Sequence, residues 1–355
     1  MSAAFEKINV WQDSSLHPEC QIPGLLAVCK EKMQILDIFA AQIKFSSDLK
    51  NKFRVYGAVI LSMIFWAFSF IWFKMANENF RPIAIVFLRL VFAIVILTSY
   101  LAYTRKFVKI RKQDYKLFFM LAFFEPFIYF LGESYGLTYV SATVCSVLIS
   151  TIPVFAAIGA RVLFRERLSF LNYSGIFLSF IGVVIFVINK DGGLSYSPKG
   201  IALIFVAVFA AVGYNLTLSR LVDNYSPIYI VNVQNILGAI FFLPLFLTME
   251  LKPFLDITLN FKMFIPVILL SAFASCAAFI LFAFSVRKLG LMKANVFTNS
   301  IPLFTAFFSF LMLGDKLTVL NYAGMAVVIA GLYMSQLRGK IEPPDEALTL
   351  TGKTA

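Results

Sequence analysis

Apolar residues fall into ten long runs separated by short polar gaps: 55–76, 82–103, 116–136, 139–163, 169–188, 199–219, 227–249, 263–286, 290–313 and 320–337. A membrane-crossing helix needs about 20 mostly apolar residues, and each run comes close to that length. Several gaps carry turn residues, such as Asp191-Gly192-Gly193 and Ser197-Pro198. The pattern predicts an all-α integral membrane protein with ten transmembrane helices.

The pattern also repeats. A shift of 149 residues lays ISTIPVFAAI (149–158) on TNSIPLFTAF (298–307), and FRERLSFLNYSG (164–175) on LGDKLTVLNYAG (313–324). In that register Pro153 meets Pro302, Asn172 meets Asn321, Tyr173 meets Tyr322, Gly175 meets Gly324 and Gly182 meets Gly331. Apolar bias does not supply a proline, an Asn-Tyr pair and two glycines together. The chain therefore reads as two five-helix repeats, 52–190 and 197–337. Five crossings are an odd number, so the second copy enters the membrane inverted. Inverted repeats around a midplane site are a transporter design, because rocking one half against the other exposes the site to each side in turn.

Charge gives the orientation. Gaps on the N-terminal side of the predicted membrane hold 19 Lys and Arg residues; the other side holds Lys74, Arg81, Lys190, Lys199, Lys252, Lys262 and Lys316. Positive residues stay in the cytoplasm, so both termini are expected there, in an inner or plasma membrane. Composition agrees: 60% of residues are hydrophobic and 14% charged, with 41 phenylalanines. Soluble domains carry about 45–50% apolar and about 25% charged residues. The net charge of +12 does not point to nucleic acid, because the basic residues sit in gaps between apolar runs rather than on one stripe. Residues 1–50 carry acidic residues and a weak helical period over 31–45. They read as a cytoplasmic extension, either a poorly ordered tail or an amphipathic surface segment. A start at Met33 would leave out residues 1–32. Residues 338–355 read as a cytoplasmic tail.

The unusual chemistry lies in the third run. FFEPFIYFLGESYG (123–136) holds Glu125 and Glu133 among apolar and small residues. At 100° per residue, Glu125, Tyr129, Gly132, Glu133 and Gly136 share a face of about 100°. An ionised group at the bilayer centre costs at least ~2.5–3.5 kcal/mol, so this face should look into the bundle or a wet cavity. Pro126 should kink the helix, and the glycines should admit a helix or a substrate. Arg89, about 10 Å inside the second run by helix rise, is the expected countercharge. Two readings compete. Arg89 and one glutamate form a buried pair that locks two helices, or one glutamate binds a cationic substrate or carries a coupling proton. Glu125 is the deeper group, about 16 Å from the outer end of its run, and Glu133 about 5 Å, where a solvated mouth residue fits as well. A shift of 145 residues sets Arg89 on Gln234, whereas FASCAAFILF (273–282), matching the third run, has no carboxylate. Further candidates for the lining are Trp66 and Trp72, Tyr214 and Asn215, and Asn295 and Asn299. Glu166 and Asp315, at run ends, read as capping residues.

Other chemistries find little support. There is no CxxC pair, and His17 with Cys20 and Cys29 lacks a fourth ligand and the spacing of a zinc site, so no metal and no cofactor is expected. His17 is the only histidine, which leaves an intramembrane enzyme without an imidazole in any span.

The repeated segments carry a family resemblance. SVLISTIPVFAAIGARVLFRERLSFLNYSGIFLSFIGVVI (146–185) resembles the fourth-to-fifth helix signature of the drug/metabolite transporter superfamily, EamA type, and NSIPLFTAFFSFLMLGDKLTVLNYAGMAVVIAGLYM (299–334) resembles its second copy. FWAFSFIWFK (65–74) and FLRLVFA (87–93) resemble the first and second helices, and Asp315 stands where a Glu is more usual. The resemblance spans about 52–337. It implies ten helices in two inverted halves, a cavity lined by helices 1, 3, 4, 6, 8 and 9, and movement of small polar or amphipathic molecules. The resulting expectation is a permease that exports amino-acid-like or amphipathic cationic metabolites, with protons as a candidate coupling ion. Its partners are a small-molecule substrate and the lipid bilayer. The alternative is an importer or exchanger of nucleotide sugars or sugar phosphates, which would want several cavity cations where Arg89 stands alone. Substrate, direction and oligomeric state stay open.

Overall fold

The computed structural model describes residues 53–156, 169–187, 196–258, 260–314 and 317–336. The expected extension 1–50 with His17, Cys20 and Cys29, the tail 338–355, the Asp191-Gly192-Gly193 turn, Glu166 and Asp315 lie outside the described residues.

Among the described residues the regular elements are all helical. In chain order they are α1 (Phe53–Asn77), α2 (Pro82–Thr104), α3 (Lys112–Tyr139), α4 (Ala142–Ala156), α5 (Phe170–Val187), α6 (Pro198–Leu221), α7 (Pro227–Leu255), α8 (Phe261–Leu289), α9 (Lys293–Leu313) and α10 (Val319–Gln336). Seven of them, all but α4, α5 and α10, are long and apolar enough to cross a membrane. The helices pack into a compact unit that begins at Val55.

The helix starts follow local chemistry. Pro82, Pro198 and Pro227 stand in the first turn of α2, α6 and α7, where a missing N–H costs no hydrogen bond. Ser141 and Ser226 cap α4 and α7 by accepting from the backbone N–H groups of Val144 and Tyr229. Gly290, at φ 83°, ends α8 in a conformation that an L side chain rarely adopts.

The closest helix pair is α5 with α10, and its contacts are reciprocal. Asn172 Nδ2 donates to Ser335 O at 2.7 Å, and Asn321 Nδ2 donates to Phe186 O at 2.8 Å. These two bonds are the same bond shifted by 149 residues at both ends. The glycines behave alike. A Cβ on Gly175 would stand 2.7 Å from Gly331 O, and one on Gly331 would stand 2.7 Å from Gly175 O. Small residues let two backbones meet without side chains between them. Residues near the start of each helix meet residues near the end of the other, so the two run antiparallel.

Other contacts also join the first half of the chain to the second. Gly132 of α3 lies against Leu203 and Ala207 of α6, and Gly136 lies against Ile204. Ser62 of α1 donates to Ala278 O of α8 at 2.8 Å. Thr98 of α2 donates to Asn232 of α7 at 3.1 Å. At one end of the bundle Tyr225, between α6 and α7, donates to buried Asp114 at 2.7 Å and accepts from the Arg111 amide at 3.1 Å. That ties the α2–α3 connection to the α6–α7 connection.

Four helices are irregular at the centre. In α3 the turns over Phe123–Ile128 are π-like, and Glu125 leaves helical geometry altogether, at φ −146° and ψ 116°. Pro126 is the cause: it has no N–H to donate and forces the residue before it into extended backbone. In α8 the turns over Leu270–Ala278 are also π-like, at the matching positions, but Ser275 stands where α3 has Pro126 and the helix continues unbroken. Two further interruptions match too: α4 turns at Ser150-Thr151, and α9 tightens to 3₁₀ over Phe297–Ser300, each just before a proline, Pro153 or Pro302.

Candidate functional site

The irregular segments surround a chamber. First-half residues lining it come from α1 (Trp66, Ser69, Phe70), α2 (Arg89), α3 (Glu125, Tyr129, Phe130, Glu133) and α4 (Ile149, Ile152). Second-half residues come from α6 (Ala211, Tyr214, Asn215), α8 (Phe279, Phe282) and α9 (Asn295, Thr298, Ile301). Its water-accessible volume is about 50 Å³, room for roughly three to five waters at ~10–15 Å³ each. An organic solute larger than that requires the walls to part.

The charged groups all belong to α2 and α3. Arg89, 3% exposed, donates from Nε to Ser275 Oγ at 2.8 Å, and its Cζ stands 4.2 Å from the centre of the Phe130 ring. The hydrogen bond and the cation–π contact fix the guanidinium plane. Glu133 accepts from Tyr129 Oη at 3.1 Å, one helical turn away. Glu125 has no hydrogen-bond partner among the described residues and is 6% exposed, at the break in α3. Both carboxylates feel the field of Arg89, but neither forms an ion pair with it among the described residues. Of the two competing readings, the buried locking pair is not formed among the described residues; Arg89 is held instead through a serine and an aromatic ring. The reason is local: the π-like turns of α8 bring Ser275 to Arg89.

Aromatic rings and amides complete the lining. Trp66 meets Phe279 and Phe282 with centroids 5.3 and 5.0 Å apart, and Tyr214 meets Phe279 at 6.0 Å. Such spacing is ordinary for edge and tilted aromatic pairs. Asn295, 3% exposed, has no protein partner for either of its amide atoms.

Of the residues expected at the site, Glu125, Glu133, Arg89, Tyr129, Trp66, Tyr214, Asn215 and Asn295 meet in this chamber. Gln234 and Asn299 are buried, 2% and 7% exposed, but do not line it. Trp72 also lies elsewhere, stacked on Phe68 at 5.2 Å. Glu133 is not a mouth residue. Helix α3 runs on to Tyr139, which sets Glu133 about 9 Å from its end, and the side chain is only 5% exposed. Gly132 and Gly136 do not face the chamber but seat α6. The break at Glu125 resets the helical register, so one arc over 125–136 does not apply.

Sequence reasoning did not single out Phe130, Phe279, Phe282, Ile149, Thr298 and Ile301. The repeat register carries the signal: 149 residues take Phe130 to Phe279, Glu133 to Phe282, Ile149 to Thr298 and Ile152 to Ile301. A 145-residue shift takes Trp66 to Ala211, Ser69 to Tyr214 and Phe70 to Asn215. Repeat-related positions thus line one space.

Known proteins fit this geometry. The model of the EamA-like transporter family matches twice, over residues 54–188 and 198–337. An uncharacterized transporter of Archaeoglobus fulgidus is 28% identical over 285 residues, covering 77% of this chain and 95% of that protein. The uncharacterized transporter YetK of Bacillus subtilis is 24% identical over 317 residues, covering 88% and 96%. A solved crystal structure superposes with a TM-score of 0.58 at 12% identity, over 79% of this chain and 98% of that one, a likeness of fold alone. With the family model matched across both halves, the chain belongs to the EamA-like transporter family and is a multi-pass membrane transporter.

Proposed function

We propose that the chain is a secondary exporter of small organic metabolites bearing an amino group, amino-acid-like or amphipathic and cationic, that works by alternating access around the central chamber. Ten helices form two inverted five-helix repeats in this reading, bounded near 52–190 and 197–337. The protein sits in an inner or plasma membrane with both termini in the cytoplasm. The antiparallel, reciprocal α5–α10 pair supports the inversion, since helices related by a 149-residue shift run in opposite directions. The excess of Lys and Arg on one side supports the orientation.

The observation that carries the reading is the unpartnered carboxylate of Glu125 in a chamber lined by both halves. An ionised group at that depth is costly when alone. It is relieved by taking up either a proton or a substrate ammonium, and the two are then mutually exclusive. That exclusion is the minimum a proton-coupled exporter requires. Glu133, held by Tyr129, and Arg89, held by Ser275, set the field in which the exchange occurs. Two carboxylates against one guanidinium favour an amine over a sugar phosphate, which would bring more negative charge to the acidic wall. The rings of Trp66, Phe279 and Phe282 suit an apolar body on the substrate.

Purified protein in liposomes, supplied with labelled amines, amino acids or sugar phosphates with and without a pH gradient, tests this reading. Gradient-dependent movement of amines or amino acids is the expected result. Movement of sugar phosphates alone would overturn it.

A further inference from the structure

Helices α4 and α9 differ at two pairs of repeat-related positions in a way that concerns specificity, and the point rests on the transport reading above. In α4 the hydroxyls of Ser146 and Ser150 bond back to the carbonyls of Thr143 and Val147, both at 2.7 Å. These serines are closed onto their own helix. The 149-residue shift carries them to Asn295 and Asn299 of α9. There the amide oxygens of both residues lack a protein partner, as does the amide nitrogen of Asn295. Asn295 lines the chamber, and Asn299 does not. A buried amide left unsatisfied is expensive in a helix bundle, and native proteins keep such groups only where something else completes them.

The neighbours say what completes it. The same chamber is lined by Phe279, Phe282 and Trp66 from α8 and α1, and by Asn215 on α6. In the reading above a substrate's ammonium meets Glu125 and its apolar or aromatic body suits the rings, which leaves the amide of Asn295 to a further polar group. An amide both donates and accepts, so the matching group is neutral and polar: a hydroxyl, an indole-type N–H or an amide.

We propose that Asn295 is a specificity-determining residue that reads a neutral hydrogen-bonding group of the substrate other than its ammonium. The site then prefers amines or amino acids carrying such a group over their hydrocarbon analogues. A site built to bond a hydroxyl discriminates against the analogue without it, because the protein group is left unpaired.

Two matched pairs test this with the full chain in liposomes: tyrosine against phenylalanine, and tyramine against phenethylamine. Wild-type protein is expected to favour the hydroxylated member of the transported pair by at least about ten-fold. Asn295→Leu brings that ratio close to one. Asn295→Ser, which installs the self-bonding residue found at position 146, does the same and guards against a variant that fails to insert. Equal handling of both members by wild type, or an unchanged ratio in both variants, overturns the role of Asn295 while leaving transport of amines intact. Movement of none of the four compounds overturns both this inference and the transport reading on which it rests.

Discussion

The α5–α10 pair and the central chamber use the same 149-residue relation in opposite ways. In α5–α10 the relation is kept: Asn172 and Asn321 make the same bond, and Gly175 and Gly331 make the same contact. In the chamber the positions correspond but the chemistry does not. Glu133 has Phe282 as its counterpart in the repeat, Glu125 has Ala274 and Pro126 has Ser275; of these counterparts only Phe282 lines the chamber. Duplicated scaffolding tolerates symmetry, because helix packing asks only for small residues and satisfied amides. A chamber that binds one substrate would not, because a substrate presents different groups to different parts of its lining. Symmetric residues should therefore govern stability, and asymmetric ones transport.

The largest effect is expected where the asymmetry is greatest. Glu125→Gln should cut proton-driven transport by about 30-fold or more, corresponding to the ~2–5 kcal/mol lost when a buried charge partner is removed. Residual flux should lose its pH dependence, and the protein should remain in the membrane. Undiminished, pH-dependent transport by this variant would break the comparison. On the symmetric side, Gly175→Leu and Gly331→Leu should each destabilise the protein by about 1–3 kcal/mol through overpacking, read as matched losses of melting temperature in detergent. Unequal losses would mean the two contacts are not equivalent.

Smaller effects sharpen the contrast. Glu133→Gln keeps a group that Tyr129 can bond, so transport should fall by about tenfold, near 1.4 kcal/mol. Asn172→Ala and Asn321→Ala should each cost about 1 kcal/mol of stability, again as a matched pair, with the transport rate per folded molecule unchanged. A loss of transport without a loss of stability in either variant would contradict the division between the two regions.

Much of this was legible in the chain. The apolar runs foretold the helices because a helix buried in lipid must be apolar over its whole length. The Asn-Tyr and glycine matches marked the repeat, and the structure adds that the glycines and asparagines among them sit at the α5–α10 contact. Eight of the eleven candidate site residues meet in the chamber because polar groups inside long apolar runs have few other places to go. The rest depended on geometry that periodicity does not encode. Pro126 announced a kink but not the loss of register at Glu125. The π-like turns of α8 lack any proline within them, so nothing in FASCAAFILF announced that Ser275 would take the arginine. The aromatic wall was hidden because a phenylalanine facing a chamber looks, in sequence, like one facing lipid.

The most direct test is side-specific labelling of Ser69→Cys in a chain whose native cysteines are replaced by serine. Ser69 lines the chamber and is 7% exposed. In vesicles of known orientation, an impermeant thiol reagent should reach this position from the outside and, in inverted vesicles, from the inside. A transported amine should slow both reactions. Labelling from one side only, whatever the ligand, would contradict a chamber that opens to each face of the membrane in turn.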